Sequence, residues 1–282
     1  MLRSLALILI SIFALFSCQE NNYTEDFDYI PEGISYSNSG RYIPETLMPY
    51  RSGQTVVDHG NYALAYSETH EQAEWAAYKL TPEQVNNRHI TRKNYFKTDP
   101  TTYISSAKHS DYSYTGYARG HLVPATHMAY DLTAYKKTFY MSNMSPQIQN
   151  GFNAGIWSRL ETQTMKWVTN GTGEKWVFTG PILYPGLPKL TQYAANSSRL
   201  NWDIVTNISV PQYFYKIIYD PDEEWVIAFI FENRPHNGRE SFMEYVTTVD
   251  AIESYTGIDF LREVEDEMEN WLESTIDTSF WE

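Results

Sequence analysis

Two segments of the chain carry the side chains best suited to chemistry. In the first, residues 117–122 read Tyr-Ala-Arg-Gly-His-Leu, so Arg119 lies two residues before His121. In the second, a regular helix would place Asn153 and Glu161 about two turns apart on one face. We therefore expect a helix to present an amide oxygen and a carboxylate together, close to the imidazole of His121.

Such a set of side chains meets the needs of phosphodiester hydrolysis. A neutral histidine, whose ordinary pKa is about 6.5, can take a proton from water near working pH. Mg²⁺ keeps several of its own waters, so one amide oxygen and one nearby carboxylate are sufficient protein partners. Arginines that contact the phosphate would supply the remaining positive charge.

The charge of the chain is unevenly distributed. The total of −14 would repel a polyanion, but residues 86–175 carry +6, whereas residues 18–85 carry −8 and residues 176–282 carry −13. The basic block contains both chemical segments and is where a polyanion would bind. A solvated basic face without a partner is the alternative.

Alternating and helical patterns predict the elements that must position these residues. Residues 62–67 and 75–80 alternate like two paired strands, and three later runs are rich in aromatic and β-branched residues: 175–179, 213–219 and 225–231. Helical spacing occurs at 150–168 and at 249–271, where Thr256-Gly257 predicts a break. Strands and helices are mixed, which predicts the α+β class.

The N-terminus has the layout of a secretory signal. Residues 1–17 contain Arg3 and a short apolar run, and Leu15-Phe16-Ser17-Cys18 resembles the lipobox of bacterial lipoproteins. Cys18 is the only cysteine, which favours lipidation over an ordinary free thiol. We expect export and membrane attachment through this lipid only, at the outer membrane rather than the inner because Gln19 is not Asp, facing the periplasm or the exterior.

The remainder divides into an acidic tether at 18–43 and one domain at 44–282. No second linker or internal repeat interrupts the domain, and the sequence does not specify an oligomeric state.

Together with residues 142–147, Ser-Asn-Met-Ser-Pro-Gln, the two chemical segments resemble the DNA/RNA non-specific endonuclease family of the ββα-metal superfamily. The family motif is Asp-Arg-Gly-His, followed by Ser-Asn-x-x-Pro-Gln and a helix with Asn, Trp and Arg-Leu-Glu. The resemblance extends over about residues 55–262. It implies a mixed or antiparallel sheet core with a ββα-metal motif, and metal-dependent hydrolysis of DNA and RNA with little sequence specificity.

The resemblance also implies a role for each matching residue. His121 would be the general base, and Asn153 would bind Mg²⁺ directly, with Mn²⁺ as an alternative ion. Glu161 would accept a hydrogen bond from water on the metal. Arg119 and Arg159 would contact the phosphate, and Asn143 would orient His121 or its loop. A further arginine of the family stabilises the scissile phosphate, and Arg92 is the best candidate for it here, although Asn94 occupies a competing position.

One residue departs from the family pattern. Ala118 stands where the family has Asp, which removes a carboxylate that would fix neighbouring groups, so a slower enzyme is expected. The alternative is an impaired nuclease-fold lipoprotein that only binds nucleic acid or other polyanions. Two further alternatives concern single residues: a zinc pair of His121 with His127, and helix capping by Asn153.

Overall fold

The structure is a computed structural model, and it describes residues 42–44, 47–100, 107–171, 173–193, 203–262 and 264–281. The signal segment at 1–17, Cys18 and nearly all of the tether at 18–43 lie outside the described residues. The last two residues of the predicted tether, Tyr42 and Ile43, pack against the folded domain. Ile43 is fully buried, and the Tyr42 hydroxyl donates to the Lys79 carbonyl at 3.3 Å.

A seven-stranded antiparallel sheet forms the centre of the described chain, in the order β1-β2-β3-β6-β9-β10-β11. Its strands are β1 (Thr55–Asp58), β2 (Ala63–Ser67), β3 (Gln72–Leu80), β6 (Lys175–Pro181), β9 (Tyr213–Asp220), β10 (Trp225–Glu232) and β11 (Val246–Thr247). The predicted strands are therefore present, and β2 pairs with β3 as expected.

Two smaller sheets lie outside the main one. Strands β4 (Tyr117–His121) and β5 (Met144–Ile148) pair antiparallel, with His121 opposite Met144. Strands β7 (Lys189–Tyr193) and β8 (Asp203–Ser209) form the other pair. The β4–β5 pair thus joins the predicted Arg-Gly-His segment to the Ser-Asn segment.

The helices are short apart from one. They are α1 (Pro82–Asn86), α2 (Leu132–Lys137), α3 (Ser158–Asn170), α4 (Val249–Thr256) and α5 (Asp266–Ser274). Helix α4 ends at Gly257, whose φ of +64° is the left-handed conformation that glycine adopts without strain. The predicted Thr-Gly break therefore separates α4 from α5.

Alternation along the strands gives the main sheet two apolar faces. One face, with Tyr78, Val177 and Ile218, belongs to the same core cluster as Trp157 and Leu160. The other face, with residues such as Trp75, Phe178 and Ile217, packs with Ile252 of α4 and Leu272 of α5. Burial of strand residues on both faces produces three layers, helix on sheet on helix, as in an α+β protein.

The expected continuous helix over 150–168 is wrong. Regular helix begins only at Ser158, and the preceding segment, Gln149–Trp157, contains non-helical backbone. Gly151 has a φ of +84°, and Gly155 combines φ −131° with ψ −114°. The apolar positions that suggested one helix are buried all the same, because the kinked segment turns Phe152 and Ile156 into the core.

Gly151→Ala is expected to destabilise the fold. A Cβ at this position would lie 2.6 Å from the backbone N and O of His236, and φ +84° strains any L side chain. We expect a loss of about 1–3 kcal/mol in the free energy of unfolding, measured by urea denaturation. Gly238→Ala is the control, because nothing lies within 4 Å of its Cβ position. Equal stability of the two variants would contradict this account of the kink.

Candidate active site

His121 occupies the last position of β4, and a buried asparagine fixes the loop that follows it. The Asn143 Oδ1 accepts a hydrogen bond from the Val123 N–H at 3.0 Å. Its Nδ2 donates to the carbonyls of Val123 and Thr138 at 3.1 and 2.8 Å. Asn143 is fully buried, so its side chain acts on the loop after His121 and not on an open surface.

A cavity of about 320 Å³ opens beside His121. The predicted residues that line it are Arg92, Arg119, His121, Asn153 and Glu161. The other lining residues are Pro124, Ala125, Thr126, Gln149, Ala154, Ser158, Thr162 and Met165. The structure therefore brings the imidazole, the amide and the carboxylate to one cavity, although no continuous helix carries the last two.

The imidazole of His121 lies against aromatic rings. Its centroid is 4.8 Å from that of Phe139, in an edge-on arrangement, and 5.9 Å from that of Phe96. Burial, with a smaller contribution from the charge of Arg92, lowers the pKa of His121 to about 3, and a hydrogen bond with the Arg119 carbonyl opposes this shift. Its Nε2 is buried without a hydrogen-bond partner among the described residues. The ring is therefore neutral at neutral pH, and its Nε2 is not occupied by another described residue.

Asn153 lies on the kinked segment before α3. Its Nδ2 donates to Gln149 Oε1 at 3.1 Å. The cap alternative is not supported, because α3 begins five residues later and no side chain caps its first turn. With the amide nitrogen engaged, the Asn153 carbonyl oxygen is the atom left for a ligand in the cavity.

Glu161 lies in the first turn of α3, where the charge of a buried lysine, Lys216, acts on it. Burial raises the pKa of Glu161 to about 7, and the charges of Lys216 and Arg92 act in the opposite direction. Lys216 is 1% exposed, on the strand β9, and its Nζ lies 4.3 Å from the centroid of the Trp157 ring. The sequence analysis did not select Lys216, although a single cation in the apolar run Tyr-Phe-Tyr-Lys-Ile-Ile-Tyr was a signal that a buried partner exists.

His127 contacts the backbone of α3 and is not a metal ligand. Its Nε2 donates to the Glu161 carbonyl at 3.0 Å, so its Nδ1 accepts from the Tyr78 hydroxyl at 2.9 Å. Burial, then the charge of Lys216, lowers its pKa to about 3. Both ring nitrogens are occupied, so the zinc pair with His121 is wrong.

The three predicted arginines differ in position. Arg92 is exposed at the cavity, where its charge influences both His121 and Glu161, whereas Asn94 does not line the cavity. Arg119 donates to the His109 carbonyl at 3.3 and 3.4 Å and lies 5.3 Å from the centroid of Phe96. Arg159 does not line the cavity. Its guanidinium donates instead to the carbonyls of Gly238 and Glu240, so this structure does not place it for the predicted phosphate contact.

The donor set of the cavity fits a hard divalent cation. Asn153 and Glu161 offer oxygen atoms, which Mg²⁺ and Mn²⁺ prefer, and no thiolate lines the cavity. The arginines Arg92 and Arg119 add positive charge at the same opening. A two-stranded antiparallel pair and a helix around such a cavity form the ββα arrangement that the sequence resemblance implied.

Comparison with known proteins agrees with this arrangement. Residues 42–267 match the DNA/RNA non-specific endonuclease family. The mitochondrial nuclease of Saccharomyces cerevisiae is 31% identical over 256 residues, which cover 83% of this chain and 74% of the yeast protein. Nuclease C1 of Cunninghamella echinulata is 28% identical over 215 residues, covering 74% of this chain and 83% of its own.

The fold is also that of a solved relative. A crystal structure of the EndoG/EndoGI complex matches with a TM-score of 0.63 and 24% identity, over 76% of this chain and 88% of that chain. The chain belongs to the DNA/RNA non-specific endonuclease family and is a phosphodiester hydrolase of that family. The α+β class with an antiparallel sheet core and a ββα-metal motif is confirmed.

His127→Gln is expected to weaken the acid sensitivity of the fold. Because the folded pKa of His127 is about 3, the unfolded chain binds one more proton at this residue between pH 3 and its ordinary pKa near 6.5. Stability therefore falls as pH drops through this window, by about 1.4 kcal/mol per pH unit for one histidine.

Urea denaturation between pH 4.5 and 6.5 measures this slope. We expect the slope of the His127→Gln variant to be smaller than that of the parent by about one proton. The control is His89→Gln, since His89 is exposed and should leave the slope unchanged. Parallel slopes for the parent and His127→Gln would show that His127 is charged in the fold.

Proposed function

We propose that this protein is an endonuclease that hydrolyses phosphodiester bonds of DNA and RNA with little sequence specificity, using Mg²⁺, or Mn²⁺ in its place. The observation that carries the proposal is the meeting of His121, Asn153 and Glu161 at one cavity with two arginines. Membership of the family and the names of the relatives support the same activity.

The positive side chains at the cavity suit the nucleic-acid backbone. Arg92 and Arg119 lie at an opening of a chain whose total charge is −14, so a polyanion is attracted to this place and repelled elsewhere. Phosphate contacts of this kind carry no sequence information, which accounts for low specificity and for cleavage of both DNA and RNA.

The neutral His121 serves as the base that takes a proton from the attacking water. Its low pKa has two physical causes, burial and the nearby Arg92, and both keep the imidazole uncharged at neutral pH. Asn153 and Glu161 would hold the divalent cation, Asn153 directly and Glu161 through water. When bound, such a cation neutralises the charge of the pentacovalent phosphate and of the leaving oxygen.

Glu161 must be a carboxylate to hold water by accepting hydrogen bonds. Burial alone would protonate it near neutral pH, and the charges of Lys216 and Arg92 favour the ionised form. Lys216 thereby acts as a positioning residue behind the cavity, and Arg92 has a second role besides phosphate contact.

The rival function is polyanion binding without cleavage, and the residue that favours it is Ala118. Ala118 lies directly opposite Gln147 in the β4–β5 pair. The Gln147 side chain is fully buried, and neither its Oε1 nor its Nε2 has a hydrogen-bond partner among the described residues. A carboxylate at position 118 would be close enough to accept from Gln147, so its loss leaves the strand next to His121 less firmly held.

Cleavage of plasmid DNA and of RNA by the mature protein tests the main proposal. We expect cleavage with Mg²⁺ or Mn²⁺ that EDTA abolishes, and a loss of about 100-fold or more in His121→Ala, the contribution typical of a general base. Asn153→Ala should raise the Mg²⁺ concentration needed for half-maximal rate. His89→Ala, an exposed histidine away from the cavity lining, is the matched control. Absence of cleavage at every metal concentration, with binding retained, would establish the rival function.

Ala118→Asp is expected to raise the cleavage rate several-fold, in the range typical of groups that support a metal site from behind. The gain should appear as tighter Mg²⁺ dependence, because the new carboxylate orders the strand that ends at His121. Ala118→Asn, which is similar in size but uncharged, is the control for added volume. An unchanged or lower rate in Ala118→Asp would show that the alanine is not a defect.

We propose further that the enzyme is exported and attached to the outer membrane by lipid on Cys18. The support is the signal-like segment 1–17 and the position of the only cysteine. Among the described residues, none of the helices has the length and apolar character that a bilayer crossing requires. Cys18→Ser should release the protein from the membrane fraction and remove the lipid mass from the N-terminal peptide in mass spectrometry. Retention of Cys18→Ser in the membrane would refute lipid attachment at this residue.

A further inference from the structure

A group of five acidic residues lies on the side of the main sheet that is covered by α4 and α5. Asp250 and Glu253 belong to α4, Asp259 follows it, and Glu269 and Glu273 belong to α5. Both helices pack in the core cluster on the opposite side from Trp157 and Leu160, so this group is separate from the cavity at His121.

The carboxylate oxygens form two sets of three that share one residue. Single oxygens of Asp250, Glu253 and Glu273 all lie within 4.8 Å of one another, and the same holds for Asp259, Glu269 and Glu273. Carboxylates at this spacing repel one another, and a positive charge between them would reverse the sign of the interaction.

Glu273 belongs to both sets, and of the five carboxylates it is the one that a neighbouring positive charge would stabilise most. It is only 8% exposed, and its Oε1 is buried with no hydrogen-bond partner among the described residues. It also lies in the last turn of α5, where the helix dipole disfavours an anion and no basic side chain is present. A buried carboxylate without a partner is unfavourable unless a cation or a proton neutralises it.

The other buried carboxylates of the described chain have a partner within the fold. Asp220 lies 2.5 Å from Lys175 Nζ, and both side chains are fully buried. Asp99 contacts His59 Nε2 at 3.1 Å. Glu273 differs from both, since none of the ion pairs of the described residues includes it. A cation that balances Glu273 would therefore come from solution.

We propose that these two sets of carboxylates, which share Glu273, bind calcium and thereby join α4 to α5. The donor chemistry selects the ion. All five ligands are carboxylates, without His or Cys, which excludes the soft transition metals. Calcium binds six to eight oxygens at about 2.3–2.6 Å, so opposed ligands are about 4.6–5.2 Å apart, whereas Mg²⁺ at about 2.0–2.1 Å requires a tighter set.

The number of carboxylates also favours calcium, which binds six to eight oxygens, over Mg²⁺, which is usually held by one or two carboxylates and keeps several waters. Mutual repulsion and burial also raise the pKa of Glu253 to about 7 and that of Glu273 to about 9. The role of the ion is structural, because ligands from both helices meet at Glu273.

Thermal unfolding of the EDTA-treated mature protein, followed by circular dichroism, tests the proposal. We expect 1 mM Ca²⁺ to raise the Tm by about 5 °C, and the same concentration of Mg²⁺ to raise it much less. Glu273→Gln and Glu253→Gln should lose this response. Glu267→Gln, an exposed acid of the same helix outside both sets, should keep it. Asn153→Ala should also keep it, which separates this ion from the one at the active site.

Loss of folding does not explain the expected result for Glu273→Gln. Because this change removes a buried charge, the variant without calcium should be as stable as the EDTA-treated parent, or more stable. Terbium luminescence excited through Trp271, two residues before Glu273, gives a second measurement of occupancy. No calcium shift in the parent, an equal shift in Glu273→Gln, or loss of the shift in Asn153→Ala would each overturn the proposal.

Discussion

The candidate active site depends on the electrostatic interaction between Glu161 and Lys216, a buried lysine of the main sheet. Burial raises the pKa of the carboxyl to about 7 and lowers that of the ammonium to about 8, and the charge of each group opposes the shift of the other. Together they favour the charged forms of both. Lys216 lies on the central strand β9 and donates to Thr179 Oγ1 of β6 at 3.3 Å. His127 is bonded to the Glu161 carbonyl, so the position of the carboxylate is fixed by the core and not by the surface.

The proposed mechanism requires two residues of the cavity to be in different charge states, Glu161 ionised and His121 neutral. The positive charge of Arg92 favours an ionised Glu161 and a neutral His121, which are the two states that the proposed activation of water requires. One exposed arginine thus supports both groups, and the same arginine is available to a phosphate. The acidic remainder of the protein increases the contrast, because a net charge of −14 leaves this cavity as a favourable place for a polyanion.

The sequence was most informative where local pattern and chemistry coincide. Alternation predicted the central strands, and the Arg-Gly-His segment together with Asn153 and Glu161 predicted the residues that line one cavity. It was less informative where contacts between residues distant in sequence determine the local conformation. The apolar spacing of 150–168 is that of a helix, but Gly151 packs against the backbone of His236, a contact 85 residues away in sequence that no local pattern encodes. For the same reason Arg159, suitable by type, bonds to carbonyls near residue 240, and Lys216 was overlooked.

The buried carboxylates show how an acidic chain can keep charges inside its fold. Asp220 is paired with Lys175 of the main sheet, whose ammonium lies 2.5 Å from it, and the charge of Lys216, also on the main sheet, acts on Glu161. The long apolar stems of lysines can pack within a core in this way. Helices α4 and α5 contain no lysine or arginine, so neither helix provides Glu273 with a basic side chain as an ion-pair partner. A divalent ion concentrates two charges in a small volume and can satisfy several carboxylates at once, which one lysine cannot. In the acidic C-terminal part of the chain, an ion from solution is therefore a more effective partner for the carboxylates than a lysine. In the basic block, the arginines of the chain itself supply the positive charge at the cavity.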